Sequence, residues 1–172
     1  VPLDWRGTSP ALLAGVDDPE PSRLCTASAD LKPDPAFAGK KIRLFYRTVC
    51  LPQNVGRDLP AIVYLQGGPG GAGPRVLDAH SDGWLAEAVK HFRVVLPDQR
   101  GTGRSSAVDG HRMDQLRKEA LACGADPARL QANYLKRFLA DSIVRDFEYL
   151  RLNEFGGASW VTLGQSYGGF LT

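Results

Sequence analysis

The first regular pattern in the chain is an alternation of apolar and basic residues between Lys40 and Leu51. Ile42, Leu44 and Tyr46 recur at every second position and alternate with Arg43, Phe45 and Arg47. A period of two is typical of a half-buried β-strand. The pattern therefore predicts that regular structure begins at residue 40.

Two continuous apolar runs follow, Ala61 to Leu65 and Phe92 to Pro97, and each ends abruptly in a polar, glycine-rich segment. Such runs are typical of strands that are buried on both faces. Between them, apolar residues recur at helical spacing, at Trp84, Leu85, Ala88 and Val89. The order strand, helix, strand predicts a parallel sheet.

The region from His111 to Glu154 has a helical pattern, which Asp126 and Pro127 interrupt as a helix N-cap and first residue. Before Gly156 the apolar positions define buried helix faces, with Leu130, Tyr134 and Phe138 on one and Ile143, Phe147 and Leu150 on the next. We interpret the charged residues of the last segment as a solvated face: Arg145, Asp146, Glu148 and Arg151. Trp160 to Leu163 then reads as a third buried strand.

Composition and charge narrow the class of protein. The 172 residues are 43% hydrophobic and 23% charged, which is typical of a globular domain, and residues 1–39, rich in proline, are predicted to form an irregular lead-in. The net charge of +2 creates no field that recruits nucleic acid or an anionic membrane. No apolar run approaches the roughly 20 residues that span a bilayer. Neither nucleic acid nor a membrane is an expected partner.

Cysteine usage suggests a compartment. Cys25, Cys50 and Cys123 are widely separated, and an odd number is a poor basis for a disulfide framework. We therefore expect reduced thiols and a cytoplasmic location.

The most informative motif is Gly164-Gln165-Ser166-Tyr167-Gly168, which matches G-x-S-x-G directly after a predicted buried strand. A sharp strand-to-helix turn at this place exposes the serine hydroxyl, and the flanking glycines remove side chains that would collide there. Ser166 is therefore the candidate nucleophile. The alternative is a glycine-flanked turn without chemistry.

A second candidate element is the loop from Gln66 to Gly73, which follows the strand ending at Leu65. Its glycines allow backbone N–H groups to approach a substrate, and together with the N–H of Tyr167 they suit an oxyanion hole. A flexible loop or a phosphate cradle is the alternative. Neither this loop nor Gly101 to Ser105 has the glycine spacing of a nucleotide-binding motif.

Four motifs, LQGGPGG, DQRGTGRSS, ADSIVRDFEYLR and GQSYGG, occur in an order and spacing that resemble the proline iminopeptidases of the α/β-hydrolase fold. The resemblance covers about residues 40–172 and implies the N-terminal part of a catalytic domain with a mostly parallel sheet flanked by helices. It implies that Ser166 is the nucleophile, that Gly68 and Tyr167 form the oxyanion hole and that Gly67 contributes to substrate binding. The implied substrate is a peptide with an N-terminal proline, and no cofactor or metal is implied. Gln66 stands where many members have histidine.

The triad partners of Ser166 are expected outside this sequence. In this fold the acid and the histidine follow the serine along the chain, and only six residues follow Ser166. We interpret His80, His91 and His111 as surface residues, and Asp98 as the partner of Arg100 in a structural ion pair. The rest of the same polypeptide is expected to supply the acid, the histidine, further strands and a cap.

Three functions stay open at this point. The leading hypothesis is a serine exopeptidase that releases N-terminal proline. An esterase or a tripeptidyl-type aminopeptidase has the same acyl-transfer machinery, and a non-catalytic binding protein has the same fold.

Overall fold

The computed structural model describes residues 4–7, 11–14, 41–76 and 83–172. Its strands are β1 (Asp4–Gly7), β2 (Ala11–Ala14), β3 (Lys41–Leu44), β4 (Tyr46–Cys50), β5 (Ala61–Leu65), β6 (Arg93–Pro97) and β7 (Trp160–Gly164). Its α-helices are α1 (Gly83–His91), α2 (Gly110–Ala122), α3 (Pro127–Leu135), α4 (Ala140–Glu154) and α5 (Tyr167–Leu171). Short 3-10 turns cover Pro52–Asn54 and Lys136–Phe138.

Five strands form one sheet in the order β1, β4, β6, β5, β7, and β2 pairs with β3 in a second, two-stranded sheet. The strand β5 is parallel to both β6 and β7, which confirms the parallel pairing predicted from the strand, helix, strand order. The strands β1 and β4 join by antiparallel pairing, so the sheet is mixed. The three parallel strands all end at the same edge of the sheet, and their carboxyl ends carry the motifs singled out above.

The main sheet has helices on both of its faces. Ala61, Val63 and Leu65 of β5 point into a core that includes Ile143, Phe147 and Leu150 of α4. The alternate residues Ile62 and Tyr64 point into a second core, which α1 closes with Leu85, Ala88 and Val89. Because successive strand residues face opposite sides, a central strand buried on both sides has to be apolar throughout. That is the pattern from which β5 was predicted.

The predicted strand from Lys40 to Leu51 is divided at Phe45. The carbonyl oxygen of Phe45 accepts a hydrogen bond from the Asp98 amide at 2.8 Å, and its own N–H donates to Oγ of Ser105 at 2.9 Å. These bonds to the turn after β6 take Phe45 out of strand pairing. The residues before it join the small sheet and those after it join the main sheet.

The lead-in contains two short strands that the sequence did not predict. The strand β1 pairs with β4, and β2 pairs with β3, both antiparallel. The expectation of irregular structure is wrong for these residues, while the rest of the lead-in lies outside the described part of the chain. The boundary between residues 39 and 40 stays a prediction.

The helical half of the chain follows its local signals. Asp126 caps α3 by accepting a hydrogen bond from the Ala128 amide at 2.9 Å, with Pro127 as the first helical residue. Gly156 and Gly157 have φ angles of 66° and 79° and follow the end of α4 at Glu154, so the helix ends before these glycines as predicted. No helix in the described ranges is long and apolar enough to cross a membrane.

One expectation about the cysteines is wrong. Cys123, the residue that follows α2, is disulfide-bonded. Since disulfides persist in oxidising compartments, the cysteine pattern no longer supports a reducing, cytoplasmic location.

Candidate active site

Ser166 lies in the turn between the end of β7 and the start of α5, as the motif predicted. The strand β7 itself is exposed or half-buried along its length in this structure, so the prediction that it is buried is wrong. The backbone of Ser166 has φ 55° and ψ −120°, and this is the one non-glycine residue with positive φ in the described part of the chain. A non-glycine residue in this region is strained, and such strain persists where the surroundings impose it. The residue is exposed to solvent. The turn therefore holds an accessible hydroxyl in a conformation that the local sequence alone disfavours.

Two glycines make this turn sterically possible. A Cβ atom on Gly164 would collide with the carbonyl of Gly168, and one on Gly168 would collide with the carbonyl of Leu65. The amide of Gly168 also donates to the carbonyl of Gln165 at 2.9 Å, which closes the turn. Both glycines of the motif are thus required by close backbone approach, and the second one holds α5 against the end of β5.

The glycine loop after β5 lies directly against the serine. A Cβ atom on Gly67 would lie 2.5 Å from the carbonyl oxygen of Gln165 and 3.2 Å from Cβ of Ser166. Gly68 has φ 121°, and a Cβ atom there would lie 3.1 Å from the amide nitrogen of Gly70 and 3.5 Å from that of Gly71. Among the described residues, the amides of Gly68 and Tyr167 have no hydrogen-bond acceptor. The structure therefore brings the loop and the serine turn together and leaves backbone donors beside them.

The two ends of this loop are held by consecutive residues of the turn after β6. Nε2 of Gln99 donates to the carbonyl of Gln66 at 2.7 Å, and Oδ1 of Asp98 accepts from the amide of Gly73 at 2.9 Å. Both side chains are buried, with exposed fractions of 2% and 0%. The role of Gln99 was not predictable from the sequence, because its partner is a backbone carbonyl 33 residues away.

The carboxylate of Asp98 is paired with Arg75. The two guanidinium nitrogens of Arg75 donate to Oδ1 at 2.8 Å and to Oδ2 at 2.5 Å, and the amide of Arg104 donates to Oδ2 at 2.8 Å. Burial by itself raises the pKa of Asp98, but the hydrogen bonds from Arg75, Arg104 and Gly73 outweigh it, so the pKa lies below its ordinary value. The expected ion pair of Asp98 with Arg100 is wrong.

Arg100 instead forms a buried ion pair with Asp146 of α4. Its Nε donates to Oδ2 of Asp146 at 2.6 Å, a second short bond reaches Oδ1, and its remaining nitrogen donates to the carbonyl of Arg137 at 2.8 Å. Burial raises the pKa of Asp146, and the bonds from Arg100 offset this only in part. The pair connects the turn after β6 to the helix that covers the sheet.

The interpretation of Asp146 as part of a solvated face is therefore wrong, although its neighbours Arg145 and Glu148 are exposed. The sequence contained a usable signal. Asp146 lies three residues after Ile143 and four before Leu150, which is the spacing of the buried face. A carboxylate at that spacing requires a buried cation, and Arg100 supplies it.

The histidines offer no chemistry within the described residues. His91 ends α1 and His111 lies in α2, and both are exposed, while His80 lies outside the described part. In that same part, no three His, Cys, Asp or Glu side chains converge as metal ligands.

The model of the alpha/beta hydrolase fold family matches residues 60–172, the segment that carries the loop, the buried turn after β6 and the serine turn. The chain belongs to the α/β-hydrolase family. The mixed sheet with helices on both faces agrees with this assignment.

Two curated relatives show which group of α/β-hydrolases the chain is similar to. A proline iminopeptidase of Aeromonas sobria is 43% identical over 131 residues, which cover 76% of this chain and 28% of the relative. A proline iminopeptidase of Aspergillus aculeatus is 37% identical over 136 residues, covering 75% of this chain and 28% of the relative. The chain thus spans about 28% of the length of the curated relatives it matches. The resemblance to this group is confirmed.

Among solved structures, a proline iminopeptidase-related protein from Thermus thermophilus is similar, with a TM-score of 0.44 and 26% identity. The match covers 76% of this chain and 34% of that one.

Proposed function

We propose that this α/β-hydrolase is a serine exopeptidase that releases an N-terminal proline from peptides. The observation that carries the proposal is the strained, exposed Ser166 with Gly67 packed against it. The similarity to proline iminopeptidases supports the choice of substrate. An acyl-transfer site needs a nucleophile and oxyanion donors at one place, and the packing of this loop against the serine turn supports such an arrangement.

In the proposed reaction, Oγ of Ser166 attacks the carbonyl carbon of the N-terminal residue, and a histidine takes the hydroxyl proton. The oxygen of the tetrahedral intermediate accepts hydrogen bonds from the amides of Gly68 and Tyr167, while Gly67 lines the space where the substrate carbonyl lies. The histidine then protonates the departing amine of the shortened peptide. Water attacks the acyl-enzyme, and proline leaves as the acid.

The base is the part of the mechanism that these residues do not supply. We assign it to a histidine beyond Thr172, oriented by an acidic residue that precedes it, since the triad of this fold runs serine, acid, histidine. Asp98 is not available as the acid, because both of its oxygens are already bonded to Arg75 and to backbone amides.

The experiment compares the full-length protein with its Ser166→Ala and Ser159→Ala variants. Ser159 is an exposed serine seven residues earlier and serves as the matched control. We expect release of proline from a prolyl chromogenic substrate, no turnover by Ser166→Ala, and normal turnover by Ser159→Ala. A fluorophosphonate should label the wild type and the control but not Ser166→Ala.

Two substrates of the same chromophore separate the alternatives. If the acetyl ester is hydrolysed and the prolyl derivative is not, the protein is an esterase and the peptidase proposal is wrong. If neither substrate is hydrolysed and the fluorophosphonate does not react, the protein is a binding protein with this fold.

A further inference from the structure

Three arginine side chains surround the ring of Phe45, at the point where β3 ends and β4 begins. The guanidinium carbons of Arg47, Arg75 and Arg104 lie 5.5, 5.4 and 5.3 Å from the ring centroid. Each distance is within the range of a cation–π interaction. We call these three residues the arginine cluster.

Within the described part of the chain, the positive charge of the arginine cluster is mostly uncompensated. Asp98 is its one carboxylate partner among the described residues, and its oxygens are filled by Arg75 and by the amides of Gly73 and Arg104. The one acceptor for the Arg47 guanidinium in the described ranges is the carbonyl of Pro74, at 3.3 Å. Counting the described residues, three positive charges against one negative charge leave an excess of two.

Repulsion within the arginine cluster is visible at Arg47. Burial lowers the pKa of Arg47, and the neighbouring charges of Arg75 and Arg104 lower it further, against the opposing effect of Asp98. An added anion would relieve this repulsion. Arg104 is exposed and the side chain of Arg75 is 39% exposed, so an anion from solvent can reach the cluster.

The arginine cluster lies at the same edge of the sheet as Ser166. Tyr46 pairs with Pro97, so the start of β4 lies at the carboxyl end of β6, and Asp98 follows β6 directly. Ser166 lies at the carboxyl end of β7, and the strand order from there is β7, β5, β6, β4. With a strand spacing of about 4.8 Å, β6 and β4 lie about 10 and 14 Å from β7.

That separation has the length of a short peptide. An extended chain rises about 3.5 Å per residue, so 10 to 14 Å corresponds to about three to four residues. A peptide whose N-terminal carbonyl lies at Ser166 would bring its next three or four residues across the ends of β5 and β6. Its last residue would then lie at the arginine cluster.

We propose that Arg47, Arg75 and Arg104 bind a carboxylate of the peptide substrate, which makes peptides of four or five residues with a free C-terminus the preferred substrate class. The proposal rests on the peptidase function proposed above. Guanidinium groups suit this task because their planar forks bond both oxygens of a carboxylate. A glutamate side chain near the end of the peptide has the same chemistry, and the test distinguishes the two sources.

The test uses the full-length protein and the peptide Pro-Ala-Ala-Ala as the free acid and as the C-terminal amide. Release of proline is measured, and the ratio of kcat/KM for acid over amide is the readout. We expect a ratio of about ten or more, since hydrogen bonds between charged groups commonly contribute that much. Amidated Pro-Ala-Ala-Glu should release proline as fast as the free acid if the cluster also binds a side-chain carboxylate. It should release proline slowly if the cluster binds only the C-terminal carboxylate. The proposal would be overturned if the wild type has an acid-to-amide ratio near one and also hydrolyses amidated Pro-Ala-Ala-Glu no faster than amidated Pro-Ala-Ala-Ala.

Arg104→Gln is the decisive variant. The guanidinium of Arg104 has no carboxylate partner in the described ranges, and the hydrogen bond from the backbone N–H of residue 104 to Asp98 remains in the variant. The acid-to-amide ratio should fall toward one in Arg104→Gln, with an intermediate value in Arg104→Lys. Arg117→Gln is the matched control, since Arg117 is exposed on α2, and it should keep the wild-type ratio. An unchanged ratio in Arg104→Gln contradicts the proposal.

A binding measurement keeps this proposal separate from the proposed function. Two peptides, tri-alanine with a free C-terminus and its C-terminal amide, are each titrated calorimetrically into the wild type and into Arg104→Gln. If the wild type binds the acid more tightly than the amide and Arg104→Gln does not, the carboxylate site is supported even if no proline is released. Equal binding of both peptides to the wild type would overturn it even if proline is released.

Discussion

Nε2 of Gln99 donates a hydrogen bond to the backbone carbonyl of Gln66 across 2.7 Å, joining the end of β6 to the first residue of the glycine loop. The next residue of that loop, Gly67, packs against the serine turn at the end of β7. The position of the loop beside Ser166 is thus set by a side chain from the neighbouring strand.

Gln99→Leu in the full-length protein should lower kcat by about tenfold or more, because a displacement of about 1 Å in a catalytic group costs up to a hundredfold. The KM for a prolyl substrate should change less, because the side chain of Gln99 is buried and bonds the loop. Gln115→Leu, at an exposed position on α2, is the control and should leave both constants unchanged. A normal kcat in Gln99→Leu would remove Gln99 from the positioning of the loop.

The strain at Ser166 predicts an unusual order of stabilities. Ser166→Gly should be more stable to urea than Ser166→Ala by about 1 kcal/mol, because positive φ costs a Cβ-bearing residue about 1 to 3 kcal/mol and glycine much less. At Ser159, which does not have positive φ, the order should be reversed. If alanine is as stable as glycine at position 166, the turn is not strained.

Neighbouring glycines should differ sharply in their tolerance of a methyl group. Gly168→Ala should destabilise the protein by about 3 kcal/mol or more or prevent folding, because its Cβ collides with the carbonyl of Leu65 and overpacking of this kind is costly. Gly169→Ala should be tolerated, since its nearest contact would lie at 3.6 Å. Thermal unfolding of the two variants is the measurement, and similar losses from both would contradict the packing at the turn.

Asp98 predicts a specific loss of stability in acid. Its folded pKa lies below the ordinary value of 3.8, so its contribution to stability is present above that value and is lost as the pH falls through the folded pKa. The free energy of unfolding of wild type should therefore decrease below about pH 4 more steeply than that of Asp98→Asn. Asp58→Asn, at an exposed position, is the control and should retain the slope of the wild type. Parallel curves for wild type and Asp98→Asn would show that the carboxylate is not stabilised in this way.

Local features were predictable from the sequence. The cap at Asp126 and the end of the helix before Gly156 depend on residues within about four positions, and the strand-to-helix turn at Ser166 was predictable from the motif with glycines two residues on either side. The burial of β5 on both faces follows from its continuous apolar run, and the buried face of α4 follows from the helical period of its apolar residues. Together with the resemblance carried by four motifs, these features were sufficient for the fold class and for the candidate serine.

The tertiary structure alone decided which distant groups meet. Asp98 and Arg100 are close in sequence, yet Asp98 pairs with Arg75 and Arg100 pairs with Asp146. The break at Phe45 and the role of Gln99 likewise depend on strands that are neighbours only in the folded sheet. The physical reason is that apolar periodicity specifies which face of an element is buried, whereas the partner of a buried charge or amide is whichever group the order of the strands brings within about 3 Å.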